Sequence, residues 1–221
     1  MRRRVVLVLA AMALALLLAS GVALAVNRIG TDGPDTLRGT NGNDNLSGRG
    51  GQDDIFGLAG EDNLLGEEGK DWVLGGNERI PLGGDKNLLG GPGNDGVLGG
   101  NGTDNLAGGP GNDYVDSGHG PDNASGDEGN DLLVNGFIRN LSHDRLSGGA
   151  GNDVVIANHI PSFEDEVVCG RGFDRVGADT KEVVADDCER VKIIRTIAQD
   201  EAFAGPILQH YFEDLLAPPP F

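Results

Sequence analysis

Aromatic side chains make up only 5% of the 221 residues, with one Trp and two Tyr. Large apolar side chains are therefore too sparse for an ordinary globular core, and no aromatic-lined sugar groove is in view. Basic residues number 17 against 35 acidic ones, for a net charge of −18. A surface of that sign repels phosphate, which excludes a duplex nucleic-acid binder. The four histidines, His119, His143, His159 and His210, are scattered, and neither G-x-S-x-G nor H-E-x-x-H occurs, so hydrolytic chemistry has no anchor. His143 reads as part of a loop rather than a general base. With two cysteines in all, zinc and copper lack their preferred ligands. The 38 glycines do not fall on a strict third-residue period and only 10 prolines accompany them, which excludes collagen.

What is present begins with Arg2, Arg3 and Arg4, followed by an apolar run from Val5 to Ala25 that ends in Ala23-Leu24-Ala25. The pattern reads as a Sec signal over residues 1–25; the alternative, an uncleaved anchor, is also long enough to span a bilayer. The small-x-small ending favours cleavage, which leaves a secreted chain with no membrane span. Cleavage deletes three of the seventeen cations and none of the acids, so the net charge becomes −21.

A nine-residue period fills residues 30–156. Asp35, Asp44, Asp53, Asp62 and Asp71 are each nine residues apart, and the spacing resumes at Asp95, Asp104, Asp113, Asp122 and Asp131. A four-residue insertion within Asn135 to His143 delays Asp144, and Asp153 follows nine later. Two residues after each acid stands an apolar or small side chain: Leu37, Leu46, Ile55, Leu64, Val73, Val97, Leu106, Val115, Ala124, Leu133, Leu146 and Val155. Between Asp71 and Asp95 the marks Leu82 and Leu88 suggest two altered turns, with Ile80 and Lys86 at the acid position. This reading gives fourteen turns and assigns Asp85 to no pair.

Glycine hexads supply turns, and the triplet around each apolar position supplies a short strand. Two nonads per coil stack parallel strands over a narrow interior and line the aspartates up along two edges. One inward side chain per nine residues is too little burial to offset ordering nine backbone units, and stacked carboxylates repel. Calcium answers both, since it takes six to eight hard oxygens and accepts glycine-turn carbonyls beside carboxylates; magnesium demands a tighter octahedron. A disordered Gly/Asp linker fits the composition but not the apolar residue two positions after each acid. Disorder is instead the expectation without calcium.

These residues closely resemble the RTX, or haemolysin-type, calcium-binding repeat G-G-x-G-x-D-x-U-x; Gly108-Gly109-Pro110-Gly111-Asn112-Asp113 is one instance. The resemblance implies an all-β fold, a parallel β-roll, with each ion between turns two repeats apart on the same side. Applied here it pairs 35/53, 44/62, 53/71, 95/113, 104/122, 113/131, 122/144 and 131/153, or about eight calcium sites. Residues from Asn77 to Lys86 are left in doubt as loaded roll.

Residues 157–195 read as a degenerate capping coil, in which Gly170-Arg171-Gly172-Phe173-Asp174-Arg175-Val176 keeps the glycine, acid and apolar order. In a secreted chain the even pair Cys169 and Cys188 suggests a disulfide, against two free thiols or a redox site. In the tail, residues 196–221, Ile207, Leu208, Tyr211, Phe212, Leu215 and Leu216 follow helical spacing before Pro218; a short terminal helix could cover the last coil or bind a partner. The expected function is calcium binding without catalysis. The alternatives are a surface or matrix module that binds cell-wall polysaccharide and, with little chain left to house it, a polysaccharide-modifying enzyme.

Overall fold

The computed structural model describes residues 24–77, 84–85, 87–135, 142–157, 164–178 and 182–193. The signal segment up to residue 23 and the C-terminal helix expected within 196–221 lie outside the described residues. The first strands are β1 (Asn27–Ile29), β2 (Thr36–Arg38), β3 (Asn45–Gly51), β4 (Asp54–Leu58), β5 (Asn63–Gly69) and β6 (Trp72–Asn77). Then come β7 (Asn87–Leu89), β8 (Gly96–Asn101), β9 (Asn105–Pro110), β10 (Tyr114–Asp116), β11 (Asn123–Glu128) and β12 (Leu132–Val134). The last are β13 (Arg145–Ala150), β14 (Val154–Ala157), β15 (Glu166–Arg171), β16 (Arg175–Ala178), β17 (Val183–Val184) and β18 (Arg190–Ile193).

Odd strands form one nine-stranded sheet and even strands another, each in sequence order, and all pairings are parallel. The chain therefore winds as a two-sheet parallel β-roll, each coil adding one rung to each sheet. At about 4.8 Å per rung, nine rungs extend about 38 Å. The alternation continues through Ile193, so the stretch expected as a degenerate cap contributes further rungs, β15 to β18.

Every apolar residue of the nine-residue pattern from Leu37 to Val155 points into the single file between the sheets, at 9% exposure or less. Leu88 joins them, as do Val167 and Val176 beyond the pattern. Cys169 on β15, also fully buried, is disulfide-bonded to Cys188. The bridge ties the last odd rungs to the turn that enters β18.

The glycines answer to close stacking. A Cβ on Gly111 would overlap the carbonyl oxygen of Gly93 one coil below, and the same holds for Gly129 over Gly111. The second glycine of each pair has positive φ, +110° at Gly91 and +112° at Gly109. Arg49, Leu58, Glu67 and Asp127 occupy that position with φ of 80°, 87°, 73° and 74°. Because a side chain there is strained by about 1–2 kcal/mol and Arg49 is exposed, Arg49→Gly should stabilise the folded chain by roughly 0.5–1 kcal/mol net of glycine's extra unfolded-state entropy. A raised thermal midpoint in calcium is the expected readout.

Candidate metal centre

The hexad turns place the acids in two columns, one along each edge between the sheets. One column holds Asp35, Asp53, Asp71, Asp95, Asp113, Asp131, Asp153 and Asp174. The other holds Asp44, Asp62, Asp85, Asp104, Asp122, Asp144 and Asp165. Within a column each aspartate N–H donates to Oδ1 of the aspartate one coil further on. Thirteen such bonds occur among the described residues, at 2.6 to 2.9 Å. Sheet bonding does not supply an acceptor for these N–H groups, and a buried donor must find one. Aspartate is therefore needed at this position for the backbone as well as for any ion.

All twelve aspartates expected from the sequence stand in these columns, and all eight expected pairs occupy neighbouring rungs. The stretch between Asp71 and Asp95 differs from expectation. Ile80 and Lys86, expected at the acid position, lie outside the described residues. Asp85 stands in the column, accepting from Asp62 N–H at 2.9 Å and donating to Asp104 at 2.6 Å. Asn87 pairs with Asn63 and Leu88 with Leu64, so one residue more than usual lies between acid and strand. Counting back two from Leu88 therefore lands on Lys86 rather than on the true column member. Where two altered turns were expected there is a single turn, half a coil, lengthened by an insertion, and Asp71 pairs directly with Asp95 at 2.7 Å.

Asp165 and Asp174 also belong to the columns. Each precedes an apolar residue by two positions, Val167 and Val176, which is the signal that could have found them. At the end of one column Glu189 takes the aspartate's place, accepting the Asp174 N–H through Oε2 at 2.8 Å. At the start of the other, Val26 N–H donates to Asp44 Oδ1 at 2.6 Å.

The second carboxylate oxygen carries the case for a cation. Oδ2 of Asp53, Asp62, Asp71, Asp95, Asp104, Asp113, Asp122, Asp131, Asp153 and Asp174 is buried and has no hydrogen-bond partner. Eight of these oxygens face the bare side of the first glycine of a pair, whereas Ser117 and Cys169 take that glycine's place before Asp122 and Asp174. A Cβ on Gly90 would lie 2.6 Å from both Asp95 Oδ2 and the Gly108 carbonyl oxygen, and one on Gly148 would lie 2.6 Å from both Asp153 Oδ2 and the Cys169 carbonyl oxygen. Carboxylate and carbonyl oxygens thus converge, one coil apart, where a side chain is missing. Asp35 and Asp44 differ, because their Oδ2 atoms accept the N–H groups of Thr31 and Thr40 at 2.5 Å.

Burial pushes Asp122 up to about 9, Asp95 and Asp113 to about 8, and Asp131 to about 7. Asp62, Asp71, Asp104 and Asp153 rise to about 6 for the same reason. The N–H bond from the preceding coil opposes each rise, and in most cases a stacked neighbour's charge adds to it. An unbalanced buried charge of this kind is what a bound cation relieves. The donors are all hard oxygens, which suits calcium. Carboxylates alone cannot complete a shell: among the described residues the only three His, Cys, Asp or Glu ligand atoms lying within 4.8 Å of one another belong to Cys169, Asp187 and Cys188, where the disulfide engages both sulfurs. Backbone carbonyls must supply the rest.

His143 stands beside this edge, its Nδ1 2.6 Å from the Glu164 carbonyl oxygen, bridging two coils.

A family model described as RTX calcium-binding nonapeptide repeat (4 copies) matches residues 29–64, 48–78, 83–115, 98–133 and 140–158. No curated protein matches the chain at a significant level.

Two outcomes follow. Folded pKa values above the ordinary 3.8 mean that the metal-free roll binds protons which the unfolded chain has released. Its stability is therefore fullest below about pH 4 and falls as pH rises through about 6 to 9. In chelator, far-UV circular dichroism should show more β structure at pH 5 than at pH 8. Second, Asp113→Asn keeps the acceptor for Asp95 N–H and removes the charge, so it should fold more readily than the parent in chelator while binding less calcium. Asp113→Ala orphans that N–H at a cost of about 1–3 kcal/mol, and Asp85→Ala should match it, which thermal melts in calcium will check.

Proposed function

The chain belongs to the RTX calcium-binding nonapeptide repeat family, and from that membership we propose an exported protein that folds when it meets a calcium-rich medium and has no catalytic activity of its own. The observation that carries the reading is the pair of buried aspartate columns with unpartnered Oδ2 oxygens. Ions between neighbouring rungs would be held by the unpartnered Oδ2 atoms between Asp53 and Asp174 and by glycine-turn carbonyls. Export rests on the basic, apolar and Ala-x-Ala order of residues 2–25. The lack of catalysis rests on the use made of the acids: their Oδ1 atoms are committed to the backbone and their Oδ2 atoms face the turns.

An ion that binds only the folded form adds its binding free energy to folding. The mature chain in chelator at neutral pH is therefore mostly disordered, and calcium converts it to β structure. Magnesium at equal concentration does much less, because it holds its water and its octahedron. Circular dichroism through the sequence of chelator, magnesium and calcium decides the matter; one spectrum in all three conditions would contradict the reading.

A second reading, a surface or matrix module that binds polysaccharide, is favoured by the outer face of the odd sheet. There Asn27, Asn45, Asn63, Asn87, Asn105 and Asn123 stand on successive rungs, and their amides bond along the row, Asn45 to Asn27 at 2.8 Å and Asn123 to Asn105 at 2.9 Å. Such a row presents amides at the rung repeat. Calcium-dependent retention on cell-wall polymers, lost when Asn105 and Asn123 are changed to lysine, is the expected result for this module.

A further inference from the structure

The even sheet's outer face is unlike the odd sheet's. Tyr114, Leu132, Val134, Val154 and Ile156 alternate with the inward Val115, Leu133 and Val155, so they point away from the core, and they form a second apolar cluster. Trp72 and Leu98 extend it toward β6. Outward residues on a two-sheet roll ought to be wet. These five are 0 to 5% exposed. All eighteen described strands belong to the two sheets, so no described strand lies over this face. The cover comes from elsewhere in the chain.

We propose that the C-terminal segment, residues 206–216, docks along this face as an amphipathic helix and seals the flank of the roll rather than its end. The chain leaves the roll at Ile193, on the terminal strand of this same sheet, whose order runs β18, β16, β14, β12, β10. Two rungs of about 4.8 Å separate β18 from the nearest buried rung; residues 194–205 are ample to turn back over that distance. Gly205-Pro206 then marks a helix start, since proline suits the first helical position. Ile207, Leu208, Tyr211, Phe212, Leu215 and Leu216 form one continuous apolar face. Eleven helical residues extend about 16 Å, close to the roughly 14 Å from β8 to β14. Relative to the nine-residue period the chain gains only five residues between Asp71 and Asp85, four between Asp131 and Asp144 and three between Asp153 and Asp165, which suits these insertions poorly to a stripe that crosses several rungs. Charge agrees as well: on the same face Arg190 and Lys192 of β18 are exposed, beside the path of Asp200 and Glu201.

Trp72 is the chain's one tryptophan and borders the stripe, which provides the test. The calcium-loaded chain is compared with a version truncated after Thr196 and with the full-length Leu208→Asp/Phe212→Asp double variant. Both should retain the calcium-induced β spectrum, bind an apolar dye several-fold more strongly, and show Trp72 more open to acrylamide quenching. Should the truncated chain fail to fold, the double variant decides alone. Unchanged dye binding and quenching in the double variant would overturn the proposal and assign the cover to the insertions. Dye binding and quenching in the parent that change on dilution would overturn it in favour of a second copy of the chain.

Discussion

Repulsion between carboxylates stacked one rung apart and shut off from water is the constraint around which this molecule is organised. A column of buried acids is ordinarily a reason for a fold not to form. Here each aspartate is kept because its Oδ1 supplies the only acceptor for an N–H on the coil before it, as Asp113 does for Asp95. The backbone thus requires the side chain, and the side chain brings a charge. At eight of the aspartates the remaining oxygen is unpartnered and aimed at a glycine with no Cβ, which leaves room for a cation and for neighbouring carbonyls. Calcium resolves a conflict that the hydrogen bonding itself creates.

The rest of the roll follows from how little the interior contributes. One Leu, Ile or Val per strand forms a file too thin to hold eighteen strands alone, and supporting features appear on the outside. Asparagine side chains stitch the odd sheet's outer face. Turn asparagines do the same at the edge, where Asn112 and Asn130 carbonyl oxygens each accept an N–H from the next coil at 2.9 Å or less. The buried cluster on the even sheet adds apolar area that the core lacks. At the end, Glu189 closes one acid column and the Cys169–Cys188 bridge secures the last rungs.

Much of this was legible in the residues because repetition amplifies weak local signals. The coupling of an acid to an apolar residue two positions later located twelve column members, their core partners and the pairing of alternate turns. It failed where spacing ceased to be a faithful guide. At Asp85 one extra residue before Leu88 moved the apparent acid position to Lys86, and only the stacking of Asp62, Asp85 and Asp104 shows the true member. Asp165 and Asp174 follow the acid and apolar rule, but glycine loss and two insertions made their coils look like an ending. The burial of Leu132 and Ile156 was beyond local pattern altogether. Both flank an inward residue on their strand, and nothing nearby in the chain tells that an outer face is covered.

Scanning calorimetry of the chain at neutral pH, with and without bound calcium, measures how far the fold depends on the ions. A cooperative, high-temperature transition is expected in the loaded sample, with little or no cooperative heat absorption after chelation. Equal melting temperatures and enthalpies in the two samples would contradict that dependence, since the buried carboxylates would then be tolerated without any ion.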